Sequence, residues 1–263
     1  CTQKNREKRY GSVRLIQEDL KRLDTRTNGF QTEEGTSLIC AFAGTRPGVG
    51  VTHLAFGFCS WLRSRGYEVL YEERNYSGDI RKMAGFLGKE MDSCGICRLF
   101  GIPVKPSYGK AARLKPCNYP VVVRDYGSDW QSKEPEMAET VLFLTAGGKW
   151  WHNGEVKKAL AHMENVSRDR NGTSMIILYT HAVPRAVARE AKEIQTLLVP
   201  EFTDPFARTA QVDDFYERLW KMTGELWKKS GKCLPERRKG TIRKRIRGLL
   251  ESLERGVMWG SRI

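Results

Sequence analysis

Leu38-Ile39-Cys40-Ala41-Phe42-Ala43-Gly44-Thr45-Arg46-Pro47-Gly48-Val49-Gly50-Val51-Thr52-His53 runs from a continuous apolar stretch through a glycine turn into a helix-like pattern. A buried strand feeding a glycine turn and a helix start brings consecutive backbone N–H groups around one point. The helix N-terminus adds positive potential there, an arrangement that suits a phosphate. Gly48 and Gly50 supply the turn and the close approach, and Thr52 supplies a hydroxyl of the kind that binds magnesium. The lysine that ordinarily meets the outer phosphates is replaced by Val51. Against the pattern G-x-x-x-x-G-K-[ST], the first glycine also falls on Thr45, with Gly44 one residue early.

Outward from this stretch, strands and helices alternate. Strand one covers 37–43, and the following helix carries an apolar stripe at Val51, Leu54, Ala55, Phe58 and Leu62 before Gly66 stops it. Residues 67–72 read as a second strand, 79–87 and 93–100 as short helices, and 101–118 as a loop rich in Pro, Gly and Lys. The β-branched run Tyr119 to Gly127 closes on Asp125, and 140–145 and 175–180 are further apolar strands, followed by helices at 154–164 and 184–197. A last domain helix spans 210–228. Runs such as Val141-Leu142-Phe143-Leu144 and Met175-Ile176-Ile177-Leu178 suit strands covered on both faces. The expected fold is α/β: a doubly wound, mostly parallel sheet with helical N- and C-terminal extensions.

The domain reading is a charged helical extension at 1–34, an α/β domain at 35–230, and a basic linker with an amphipathic helix at 231–263. The chain of 263 residues is 40% hydrophobic, enough for one substantial core. Its formal charge of +14 is uneven: residues 228–263 hold twelve Lys/Arg against three Asp/Glu, while 1–34 hold eight against six. Such a tail seeks anionic partners. Within it, Ile242, Ile246, Leu249, Leu250 and Leu253 form one apolar helix face flanked by Arg237-Arg238-Lys239 and Arg243-Lys244-Arg245. Residues 237–255 thus suit an anionic membrane surface, nucleic acid phosphates, or docking on a protein.

Seven cysteines form an odd set, and Cys40 and Cys59 fall in apolar patterns, which fits a reducing cytosol. No apolar run approaches the roughly 18 residues of a membrane-spanning helix, and no signal peptide pattern opens the chain. The expected location is cytoplasmic or peripheral at the inner face of a membrane. The first residue is Cys1 rather than Met, which leaves room for an upstream segment. Cys94-Gly95-Ile96-Cys97 is a lone C-x-x-C, two ligands where a closed zinc site needs four. Lys149-Trp150-Trp151-His152 follows a strand at the carboxyl edge of the sheet, where tryptophans serve either as an interface anchor or as packing beneath the loop.

From Arg46 to Thr52 the chain resembles the deviant Walker A loop of the MinD/ParA ATPases, K-G-G-V-G-K-T, with Arg46 at the signature lysine, Pro47 for a glycine and Val51 for the second lysine. Val69 to Asn75 resembles the family's second strand ending in D-x-D, with Glu73 and Asn75 at the acidic places. Asp125 and Gly127 resemble its D-x-x-G region. Thr180-His181-Ala182-Val183-Pro184 falls where the family contacts the base, without the usual asparagine, and residues 199–206 resemble its late loop. Similarity covers about 36–228 and is greatest to the divergent TadZ/CpaE branch.

The resemblance implies a P-loop NTPase-like fold, ATP and Mg²⁺ as cofactors, and a homodimer. It implies nucleotide contacts from Arg46, Gly48, Val49, Gly50, Val51, Thr52 and His53, metal contacts from Thr52 and Asp125, and catalytic roles for Asp125 and Glu73. With the loop lysine gone, hydrolysis is expected to be weak or absent. The implied role is that of a bacterial localisation or assembly factor with protein partners in a membrane-linked pilus or secretion machine. An active ATP-dependent dimerisation switch and a tail-driven DNA-binding partition-type protein are the alternatives.

Overall fold

The structure is a computed structural model and describes residues 37–109, 111–137, 140–149, 152–167, 174–181, 194–229 and 231–235. In chain order its strands are β1 (Leu38–Gly44), β2 (Val69–Glu73), β3 (Cys97–Leu99), β4 (Ile102–Lys105), β5 (Val121–Asp125), β6 (Val141–Gly147), β7 (Ser174–Thr180) and β8 (Gln195–Leu198). The helices are α1 (Val51–Ser64), α2 (Asp79–Phe86), α3 (Asn153–Ser167) and α4 (Ala210–Lys229), with a 3-10 segment at Gln131–Met137.

One eight-stranded sheet runs β3-β4-β2-β5-β1-β6-β7-β8. Every neighbouring pair is parallel except β3 with β4, an antiparallel edge hairpin. β1 lies at the centre, with Leu38 opposite Val121 of β5 and Cys40 opposite Val141 of β6. Successive side chains of a strand point to opposite faces, so β1 supplies two cores. Leu38, Cys40 and Phe42 pack with Leu54, Phe58 and Leu62 of α1 and with Tyr216 and Leu219 of α4. Ala41 and Ala43 pack with Leu142, Leu144, Trp130 and Ala159 on the other face. The rings of Phe42 and Phe143 meet edge to face at 4.6 Å, a favourable aromatic geometry.

The anticipated α/β fold with a mostly parallel sheet is therefore present, and every residue of the expected α1 stripe is buried. Two local expectations are corrected. Residues 93–100 were expected to be helical and 101–118 a loop, yet Cys97–Leu99 and Ile102–Lys105 form the edge hairpin, reversing at Phe100 and Gly101 with positive φ. The pattern there is too short to separate the two periods, and pairing against β2 decides it. The helix expected over 184–197 is likewise overturned at its end, where Gln195–Leu198 pairs with β7 as a strand. The extensions at 1–34 and 237–263, and Trp150 and Trp151, lie outside the described residues. No helix among the described residues is long and apolar enough to cross a membrane.

Candidate functional site

The carboxyl ends of β1, β5, β6 and β7 converge beside the 44–53 loop, the edge of a parallel sheet where ligands dock. The loop is fixed at its root by three bonds. Gly44 N–H donates to Gly127 O at 2.8 Å, Thr45 N–H donates to Thr145 O at 2.9 Å, and the Trp130 indole N–H donates to Gly44 O at 3.0 Å. Gly48 and Gly50 take φ of 78° and 94°, a region closed to most side chains, and a Cβ on either would stand in open space.

α1 begins at this point without a side-chain cap and without an acidic residue in its first turn. Leu54 N–H is the first helix amide with an intrahelical acceptor, Gly50 O at 3.0 Å, and among the described residues no acceptor meets the amides of Val51, Thr52 and His53. Unsatisfied first-turn N–H groups and the helix dipole together favour an anion. The side chain of Val51 does not enter the hollow. It is buried, and its Cγ2 would stand 2.7 Å from a Cβ placed on Gly44, so the position of the missing lysine is folded back onto the strand.

Thr52 Oγ1 donates to Asp125 Oδ2 at 2.6 Å, and the Tyr71 hydroxyl donates to the same oxygen at 2.7 Å. The other carboxylate oxygen, Oδ1, accepts from Gly127 N–H at 2.8 Å. Asp125 is fully buried. Burial pushes its pKa above the ordinary carboxylate range, against the hydrogen bonds from Thr52, Tyr71 and Gly127, which favour the charged form. No Lys or Arg pairs with Asp125 among the described residues, and a buried carboxylate held only by neutral donors attracts a cation. Thr52 and Asp125 therefore offer an oxygen pair of the type that hard divalent cations take.

Glu73, opposite Asp125 in the sheet register, is committed to local structure. Its Oε1 accepts from Ser77 Oγ at 3.1 Å and from Ile80 N–H at 3.2 Å, capping α2, while Oε2 accepts from Ser107 N–H at 3.0 Å. Asn75 donates through Nδ2 to Asp125 O at 3.5 Å and accepts Ser77 N–H at 3.0 Å, shaping the turn after β2. Arg46 projects from the loop's outer rim, 43% exposed, with Nε 3.5 Å from Glu155 in the first turn of α3. Cys97 opens β3 and Cys94 lies near Pro116 O, and among the described residues no group of three or more His, Cys, Asp or Glu is placed to hold a metal ion.

Beside the loop lies a hollow of about 320 Å³ between Gly48, Val49, Gly50, His53 and Leu54, the end of β7 at Thr180 and His181, and residues 199–203. Among the described residues no Lys or Arg lines it. The His53 ring lies against Phe202, tilted by 45° at 4.6 Å between centroids, and burial lowers its pKa against the opposing charge of Asp204. The expected base-contact strand end and late loop are thus brought together, while residues 182–184 fall outside the described residues. Sequence reasoning missed Tyr71, whose only signal was an aromatic residue on the α1 side of β2. It also missed the buried hydroxyls of Thr45 and Thr145 at the loop root, which have no partner among the described residues.

This parallel sheet, with a glycine loop after the central strand and an aspartate at the end of its neighbour, is a fold shared with solved structures of nucleotide-bound proteins. A plasmid partition protein from Borrelia burgdorferi B31, bound to AMPPNP, superposes with a TM-score of 0.53 at 12% identity, covering 71% of this chain and 98% of that one. Cobyrinic acid a,c-diamide synthase from Mycobacterium smegmatis, with a bound ATP analogue and magnesium, gives a TM-score of 0.56 at 16% identity, covering 76% and 98%. A nucleotide-binding protein from Archaeoglobus fulgidus in complex with ADP gives 0.50 at 12% identity, covering 68% and 86%. Identities this low establish the shared fold. No protein-family model matches the chain, and no curated protein matches it in sequence.

Proposed function

We propose that this chain binds ATP with Mg²⁺ at the 44–53 loop, hydrolyses it slowly or not at all, and acts as a dimerising localisation or assembly factor. The observation that carries this reading is the 2.6 Å bond from Thr52 to Asp125 in the first turn of α1, whose amides at Val51, Thr52 and His53 meet no acceptor among the described residues. The phosphates are held by the amides of Gly48 to His53, and the base and ribose lie in the hollow toward Phe202 and Thr180. Bound Mg²⁺ would neutralise phosphate charge, and Thr52 and Asp125 are the residues that would hold it. Asp125 fixes the Thr52 hydroxyl, and Tyr71 in turn fixes Asp125.

Val51 sets the limit on activity. Loss of a lysine contact to phosphate removes about 1.5–3 kcal/mol of binding, and more in the transition state. Binding through amides and metal survives this loss, and fast turnover does not. Arg46, 43% exposed beside Glu155, is the residue that reaches the nucleotide of a second copy of the chain in this reading. The wider role is that of the TadZ/CpaE branch, in a membrane-linked pilus or secretion machine, with residues 237–255 binding an anionic membrane surface or nucleic acid.

Isothermal titration of ATP and ADP, with and without Mg²⁺, against wild type and Gly50→Trp tests the site, and phosphate release tests turnover. Magnesium-dependent binding that Gly50→Trp abolishes, with little turnover, is the expected result. Absence of binding in wild type overturns it. Rapid hydrolysis makes the chain an active switch instead. Salt-dependent binding to duplex DNA against anionic liposomes, with and without residues 237–263, separates the partners of the tail.

A further inference from the structure

On the face of the sheet turned away from α1, a cavity of about 460 Å³ lies between strands β2, β4 and β5 and the segment that contributes Gly109, Ala112 and residues 114–119. Ile39, Leu70 and Val122 floor it. Among the described residues its walls hold four cations, Arg74, Lys105, Lys115 and Arg124, against a single carboxylate, Glu72. Glu72 Oε2 accepts from Arg124 Nε at 2.9 Å and from Arg74 Nε at 3.1 Å, while Oε1 lies 3.6 Å from Lys105 Nζ. Burial raises the Glu72 pKa, but Arg74, Arg124 and Lys105 outweigh it and hold the group at about 2. The carboxylate is ionised at neutral pH and already shared three ways.

Among the described lining residues the one carboxylate, Glu72, is already engaged by Lys105 and Arg124, and Lys115 adds a cation that no ion pair ties to it. The side chains of Lys105 and Arg124 are 22% and 20% exposed, so their charges sit in a partly desolvated space where mutual repulsion is strong. Glu72 also holds Arg74, Arg124 and Lys105 in fixed orientation, which lowers the ordering cost of binding. The volume is in the range of small-molecule sites. Lys115, within residues 114–119, is exposed at the entrance.

We propose that this cavity is a second binding site, separate from the glycine loop, for a small multivalent oxyanion gripped by Arg74, Lys105, Lys115 and Arg124. Guanidinium forks and ammonium groups recognise phosphate and carboxylate oxygens alike, so the ligand is either phosphorylated or a polycarboxylate.

Cys117 lines the same cavity as a free, half-buried thiol and serves as a local reporter. Its alkylation by neutral iodoacetamide is followed by mass spectrometry in the full chain, with pyrophosphate or citrate added. Anion at ten times its dissociation constant slows labelling about tenfold by occupancy. Lys105→Gln and Lys115→Gln each raise the concentration required by about tenfold or more. Because Lys115 is exposed, its variant tests charge without disturbing the core. Gly50→Trp leaves the protection intact, so failure at the glycine loop and failure here are distinguishable. Protection by pyrophosphate alone assigns a phosphorylated ligand, and protection by citrate alone a polycarboxylate. Labelling unchanged by both anions at millimolar concentration overturns the proposal, as does protection that persists in both lysine variants.

Discussion

Val51 packs against Gly44 so closely that a Cβ at residue 44 would stand 2.7 Å from Val51 Cγ2. The aliphatic side chain at the position of a phosphate-binding cation is a buried part of the loop's foundation, continuous with the core beneath α1. Val51→Lys should therefore do two opposite things. The ammonium swings into the hollow and raises ATP affinity about 10- to 100-fold, the converse of a lost charge-assisted contact. Loss of the packed methyls lowers stability by about 1 kcal/mol. Calorimetric titration and urea unfolding measure the two effects, and unchanged affinity would show that the phosphates do not sit where the loop places them.

Asp125→Asn keeps the shape of its site and removes the charge. Affinity for nucleotide in the absence of Mg²⁺ should change little, while the gain that Mg²⁺ confers should fall by about tenfold or more, since an amide oxygen is a poor substitute for a carboxylate toward a hard cation. Titration of wild type and variant over a range of Mg²⁺ checks this. An equal magnesium gain in both would remove Asp125 from the metal's surroundings.

Two buried carboxylates give opposite pH dependences. The folded-state pKa of Glu72 lies at about 2, below its ordinary 4.5, so the folded state binds fewer protons and the stabilisation is complete above 4.5. It is lost as pH falls toward 2, and amounts to about 3 kcal/mol. Asp125 is raised above its ordinary 3.8, so its contribution is present below that value and is lost as pH rises through the raised pKa. Urea unfolding from about pH 3 to pH 7 should show Glu72→Gln flattening the acid side and Asp125→Asn flattening the side above it. A Glu72→Gln curve parallel to wild type would refute the cationic grip on that carboxylate.

Gly57→Ala tests the contact between α1 and α4. An alanine gains about 1 kcal/mol of helix propensity over glycine. A Cβ at this position would nevertheless lie 2.8 Å from the backbone oxygen of Pro205 and collide with the Tyr216 hydroxyl. Because one obstacle is backbone, the overpacking term of about 1–3 kcal/mol wins, and net destabilisation in thermal or urea unfolding is expected. A stabilised variant would place α4 farther from α1 than the structure does.

Much of the fold was legible because its signals are local. The apolar runs at Val141–Gly147 and Ser174–Thr180 have no polar face, which only a sheet covered on both sides satisfies. The spacing of Val51, Leu54, Phe58 and Leu62 can bury one face only as a helix. The edge hairpin and β8 were misread because strands of three or four residues carry too little period, and their pairing partners decide them.

The chain's own order of residues determined that a glycine turn would join a buried strand to a helix, and that no lysine would stand at Val51. It could not determine what the carboxylates would meet. Thr52 and Tyr71 reach Asp125 across 73 and 54 residues of chain, and Glu73 is drawn instead into capping α2. Lys105 and Arg124 gather around Glu72 because β2, β4 and β5 are neighbours in space. Backbone periodicity is written into adjacent residues, whereas the charge and hydrogen-bond partners of a buried group are set by strand order and register, which exist only once the sheet has formed.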